Sequence, residues 1–180
     1  LELAVPSQHR CSSGPGNLDT RHQLSERMQV TIYTDGACLG NPGPGGYGAV
    51  LLYSSQRKEL SGGFKLTTNN RMEITAALVA LEALGEPCQV TLYSDSQYLV
   101  NAMSKGWAQR WQANGWKRNK REDAVNPDLW ERMLELCRRH TVEFRWVRGH
   151  SGAKENERCD RLAVAAARDP GLPDDPGYIH

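Results

Sequence analysis

The chain has 180 residues, 39% hydrophobic and 24% charged, with a formal net charge of +1. That is enough for one ordinary globular core; no apolar run approaches the roughly 18 residues a membrane helix needs, and whole-chain charge does not announce a polyanionic partner. Five cysteines, an odd number with no CxxC pair, argue against a disulfide framework and a structural zinc site and point to a reducing, cytoplasmic compartment.

Residues 1–27 are rich in Ser, Gly, Pro, Gln and His and lack both apolar periodicity and a signal-peptide h-region. They read as an unfolded leader or read-through ahead of a natural start at Met28. Residues 29–35 set Val30, Ile32 and Thr34 against Thr31, Tyr33 and Asp35, the alternation of a strand. The Gly/Pro run at 40–46 reads as a turn, and residues 47–54 and 58–65 as two further strands joined by a polar turn at 54–57. Met72, Ala76, Val79, Ala80 and Ala83 then form one helical stripe, with Ile74, Leu78 and Leu81 a second; Gly85 and Pro87 end this helix. A strand at 89–94, a helix at 96–105, a Trp-rich basic stretch to 121, a helix at 128–139, a strand at 141–147 and a helix at 155–168 follow. Residues 171–180 read as a loosely attached tail. The order β-β-β-α-β-α-α-α-β-α predicts an α/β domain over 28–170. Its first three strands pair antiparallel, and later strands, entered through helices, add in parallel. Nothing in the sequence demands an oligomer.

Four acids stand out by position: Asp35 at the end of the first strand, Glu73 in the first turn of the central helix, Asp95 after the fourth strand, and Asp160 inside the last helix. Singly, each has a structural explanation. Asn70 and Glu73 could form a capping box, Asp95 a helix N-cap, Asp35 a turn residue and Asp160 a solvated helix acid. Jointly they suggest more. Asp35 and Asp95 lie at strand carboxyl ends, where open α/β sheets place ligands, and Glu73 could point at the same spot. Clustered carboxylates repel unless hard divalent cations compensate them, and two Mg²⁺ would balance four carboxylates in a two-metal phosphoryl-transfer site.

Residues 33–48, 67–73, 94–98, 146–152 and 155–160 resemble, in order and spacing, the motifs of the type 1 ribonuclease H family in its bacterial, ribonuclease HI branch. The resemblance runs from about Met28 to Tyr178. It implies an RNase H-like fold and an endonuclease that hydrolyses the RNA strand of RNA–DNA hybrids, leaving 5′-phosphate and 3′-hydroxyl ends. It implies Mg²⁺, with Mn²⁺ able to substitute, held by Asp35, Glu73, Asp95 and Asp160, and a catalytic His150 that carries a proton. Cys38, Gly40, Asn41, Asn69, Asn70 and Gln97 match the family's minor-groove contacts, and Thr68 and Asn126 its pocket for a DNA phosphate.

Residues 105–121 hold six basic residues and no acid, interleaved with Trp107, Trp111 and Trp116. A core stripe explains Trp107 and Trp111 as well as a nucleic-acid contact does. The bases, Lys117 among them, suggest a handle gripping DNA phosphates. Asp123 and Val125 depart from the family's usual proline and lysine, which puts the strength of the Thr68/Asn126 pocket in doubt; Gly106 is an apparent insertion. A non-catalytic hybrid-binding module should lack a carboxylate, and none is missing. Another nuclease of this broad fold should show different spacings. A nucleotide-binding α/β protein would need the glycine-rich stretch to open a helix, whereas here it joins two strands.

Overall fold

The computed structural model describes residues 27–178, so the expected leader lies outside the described residues except for Arg27. The elements are β1 (Gln29–Cys38), β2 (Gly43–Tyr53), β3 (Gln56–Thr67), α1 (Asn69–Glu82), β4 (Gln89–Ser94), α2 (Gln97–Ser104), α3 (Trp107–Ala113), α4 (Pro127–Arg139), β5 (Thr141–Trp146) and α5 (Lys154–Ala167). The sheet order is β3-β2-β1-β4-β5. β1, β2 and β3 pair antiparallel, and β4 and β5 add in parallel. This is the mixed five-stranded sheet expected from the chain order.

Strand alternation divides the sheet between two helical layers. Val30, Ile32, Ala49 and Leu51 join Ile74, Leu78 and Leu81 of α1 in the main core. That core continues through Leu99 and Met103 of α2 to Trp130 and Met133 of α4. Trp130 is held in place by an Nε1 hydrogen bond to the Val125 carbonyl at 3.1 Å and by edge contacts from Tyr98 and Trp111. On the opposite face α5 lies so close to β2 that a β-carbon at Gly48 would overlap the Cys159 carbonyl oxygen.

Three expectations are corrected. The glycine-rich run is not all turn: Gly43–Gly46 belong to β2, with a register shift between Gly43 and Gly45. Glycine is a poor strand former, but here the close approach of Met72 at Gly45 and of α5 at Gly46 rewards the missing side chain. The cap of α1 is Thr68, whose Oγ1 accepts from Arg71 N at 3.3 Å, so Asn70 and Glu73 do not form the capping box; likewise Ser96, not Asp95, caps α2. The tail is docked, not loose, through residue 178. Lys65 N donates to the Pro173 carbonyl at 2.8 Å, and Asp175 is buried against Thr67 and Arg71.

Candidate active site

β1 and β4 run parallel in a register that pairs Thr34 with Ser94, so the next residues, Asp35 and Asp95, emerge side by side. Glu73 reaches them because α1 starts against β1 at Gly36. A β-carbon there would overlap the Glu73 amide nitrogen and the Met72 carbonyl carbon. The result is a group of three carboxylates whose ligand oxygens lie within 4.8 Å of one another. Asp160, half-buried on α5, stands outside that group, yet close enough for its charge to raise the pKa of both Asp35 and Asp95.

The electrostatics follow from crowding in a dry place. Burial first, then the charge of Asp95, pushes Asp35 from 3.8 to about 8, although its Oδ1 accepts the Gly36 amide at 2.8 Å. Burial, followed by Asp35 and Asp95, drives Glu73 well above the carboxylate range. Asp95 is raised by burial and relieved by the His150 charge and a hydrogen bond from the Asn156 side chain. The second Glu73 oxygen, Oε2, is buried with no hydrogen-bond partner among the described residues. Three converging carboxylates, an unsatisfied carboxylate oxygen and raised pKa values fit a hard divalent cation bound through oxygen.

Binding such an ion must therefore expel protons. Asp35, held near 8, is largely protonated at pH 7, and a cation requires the ionised form. Calorimetry of Mg²⁺ binding at pH 7 should show release of at least one proton per binding event, seen as heat that depends on the buffer's ionisation enthalpy, with apparent affinity rising with pH across neutrality. Buffer-independent heat would contradict this picture.

The other expected residues surround this group unevenly. His150 is exposed, at φ 52°, in the loop between β5 and α5. Asn41 Oδ1 accepts from Asn69 N at 3.1 Å, and Asn69 Nδ2 lies 3.5 Å from Glu73 Oε1, so the turn that holds Gly40 and Asn41 is joined to the acids. Cys38 Sγ contacts the Gly43 and Thr67 carbonyls, while Asn70 and Gln97 are exposed. Trp111 is buried between Trp107, Tyr98 and Trp130; Trp107 and Trp116 are half-buried. All three Trp pack against or within the core. With Arg110, Lys117 and Asn70, Trp107 and Trp111 line a cleft of roughly 890 Å³. Lys117 is paired with the atypical Asp123 at 2.6 Å, and Val125 is 64% exposed. Asn126 is buried at φ 61°, with Oδ1 accepting from Arg71 Nη1 at 3.3 Å.

Sequence reasoning missed Asn156 and Arg71. Asn156 lies four residues before Asp160, one helical turn along the same face, and that spacing could have marked it. Arg71 lay inside a quoted motif but carried no assigned role.

Comparison with known proteins agrees with this geometry. The RNase H family model matches residues 27–168, and the chain belongs to that family. A ribonuclease H of Syntrophus aciditrophicus is 73% identical over 152 residues, covering 84% of this chain and 88% of the relative. The ribonuclease HI of Synechocystis is 66% identical over 148 residues, covering 81% and 92%. Within the family the chain is of the bacterial ribonuclease HI kind, and it is a ribonuclease H enzyme. Among solved structures, LC9-RNase H1 superposes with a TM-score of 0.70 at 34% identity, covering 78% of this chain and 72% of that one. LC11-RNase H1, solved in complex with an RNA/DNA hybrid, gives a TM-score of 0.60 at 26% identity, covering 77% and 96%.

Proposed function

We propose that the enzyme hydrolyses the RNA strand of RNA–DNA hybrids internally, leaving 5′-phosphate and 3′-hydroxyl ends, and that it uses Mg²⁺, replaceable by Mn²⁺, with two ions present when substrate is bound. The observation that carries this reading is the buried Asp35–Glu73–Asp95 group on the same molecule as a basic, tryptophan-lined cleft. A relative of the same fold solved with an RNA/DNA hybrid supports it.

Asp35, Glu73 and Asp95 hold the cation, and Asp160 adds charge from α5. Bound there, the divalent ions supply the positive charge that lets the carboxylates ionise and lower the pKa of the attacking water. His150, exposed beside Asp95, takes up or returns a proton at its imidazole as the phosphodiester opens. Glu73 can also accept a hydrogen bond from a 2′-hydroxyl.

RNA is told from DNA by the 2′-hydroxyls that a hybrid shows in its wide, shallow minor groove. The end of β1 at Cys38 and the turn holding Gly40 and Asn41, joined to Asn69 and followed by Asn70, form the polar surface that reads them, together with Gln97 at the start of α2. The DNA strand is gripped by phosphate contacts at Thr68 and Asn126 and along the handle of Trp107, Trp111, Trp116 and Lys117. The Lys117–Asp123 pair weakens that grip. The enzyme works as a monomer in the cytoplasm. The four described cysteines are free, which suits a reducing compartment, and among the described residues no helix is long and apolar enough to cross a membrane.

The test is an end-labelled RNA presented in a hybrid, alone and as duplex RNA, each with Mg²⁺ or EDTA. Cutting of the hybrid only, lost in EDTA and in Asp35→Asn, is expected. Binding of the hybrid without cutting would replace catalysis by recognition, and equal cutting of all three substrates would remove the claim of hybrid specificity.

A further inference from the structure

Arg71 is the most heavily committed polar side chain among the described residues. It sits in the first turn of α1, its side chain only 3% exposed. Nε and Nη2 donate to the two oxygens of Asp175 at 2.7 and 2.9 Å, and Nη1 and Nη2 to those of Asp128 at 3.0 and 2.8 Å. Nη1 also donates to Asn126 Oδ1 at 3.3 Å. Asp175 is itself enclosed, accepting from Thr67 Oγ1 at 2.7 Å and from Gly177 N at 3.1 Å. The tail is pressed against the pair so closely that a β-carbon at Gly177 would overlap Asp128 Oδ2 and Arg71 Nη2.

This network decides what Asn126 can offer. A side-chain amide has one accepting oxygen and one donating NH₂. With its oxygen turned to a guanidinium, the Asn126 amide is oriented so that its NH₂ is the group left to offer a ligand, which is what an anion requires. Thr68 is committed in the same sense, since its Oγ1 accepts from Arg71 N and its hydroxyl proton remains to be given. Asn126 lacks a local restraint of its own: it precedes α4 in a left-handed conformation with no side-chain capping bond. Its orientation therefore depends on Arg71, and that of Arg71 on the carboxylates of Asp128 and Asp175.

We infer that Asp175, a tail residue outside the acid group, is a positioning residue for the DNA strand: through Arg71 it holds the Asn126 amide so that its NH₂ donates towards a backbone phosphate. The inference rests on the proposed hybrid substrate. It assigns the tail a part in substrate affinity and none in the chemical step. Removing the Asp175 charge frees the guanidinium to swing towards Asp128, and Asn126 is released.

The test measures hybrid cleavage, and binding of a fluorescein-labelled hybrid in EDTA across a salt series, for the full chain and for Asp175→Asn, Asn126→Ala and the double variant. Measurements are made well below each variant's melting temperature. Asp175→Asn should raise KM and Kd about three- to tenfold, the worth of one hydrogen bond, with kcat within about twofold. The slope of log Kd against log salt should stay close to that of the wild type, because Asn126 is a neutral donor whose loss displaces no counterion. In the Asn126→Ala background the same change should add almost nothing, because the effect passes through Asn126. A Tm drop with wild-type Kd, a changed salt slope, or a full additional loss in the Asn126→Ala background would overturn the inference. Should Asp175→Asn not fold, Asp128→Asn on the same guanidinium must show the same dependence on Asn126, and an unchanged Kd there overturns the inference equally. A wild-type chain that neither binds nor cuts the hybrid would bring down the proposed function itself, whereas normal wild-type behaviour with an indifferent Asp175→Asn brings down this inference alone.

Discussion

Asp35→Asn is expected to lower kcat on a hybrid by about 10³-fold or more while making the metal-free protein more stable. The loss reflects the several kcal/mol that a correctly held cation contributes to phosphoryl transfer; an amide keeps the shape of Asp35 but not the charge that holds the ion. The gain has a separate origin. Burial and Asp95 raise the pKa of Asp35 from 3.8 to about 8. Between those values the folded chain keeps a proton that the unfolded chain has lost, so stability falls as pH rises across that window. The amide has no such dependence. At pH 8 without metal the variant should melt roughly 3–10 °C above the wild type, the gap narrowing towards pH 4. Saturating Mg²⁺ should close or reverse it, because only the wild type gains from binding. Equal melting temperatures at pH 8 would mean that the carboxylates are not in conflict.

Gly36→Ala should be nearly as damaging without touching a charged group. Its β-carbon would overlap the Glu73 backbone nitrogen and the Met72 carbonyl carbon, so α1 and β1 must separate. Overpacking against backbone costs about 1–3 kcal/mol, which urea titration would register as a lower midpoint. The separation also moves Glu73 away from Asp35, and a misplacement of about 1 Å in such a site is worth roughly 10²-fold in rate. A variant that keeps full activity would show that the spacing between strand and helix does not set the carboxylate group.

The sheet and the acids were legible because both leave local traces. Alternation marks β1, a double stripe marks α1, and strand ends mark Asp35 and Asp95. What escaped was decided by partners distant in sequence. Gly45 and Gly46 form strand because Met72 of α1 closes on the first and α5 on the second, a tertiary reward that overrides propensity. The tail appeared loose because proline, glycine and acid are ordinary loop composition; its anchor, Arg71, lies 104 residues away from Asp175. Asp123 was noticed as a departure, but its pairing with Lys117 required a backbone bridge between the two that sequence alone did not suggest. Asp160 was expected with the other three acids; on α5 it stands outside their group, although its charge still reaches Asp35 and Asp95.

The span of these contacts has a consequence for the order of events at the ribosome. Cys159 Sγ donates to the Tyr33 carbonyl across 126 residues, and Asp175 completes the shell around Arg71. A chain emerging in order can pair β1, β2 and β3 early, yet α5 and the partner of Arg71 appear only after all five strands have been made. Contacts of such long range also slow the final collapse. A nascent ribonuclease still tethered to the ribosome is thus left without a finished catalytic face until α5 has followed all five strands out.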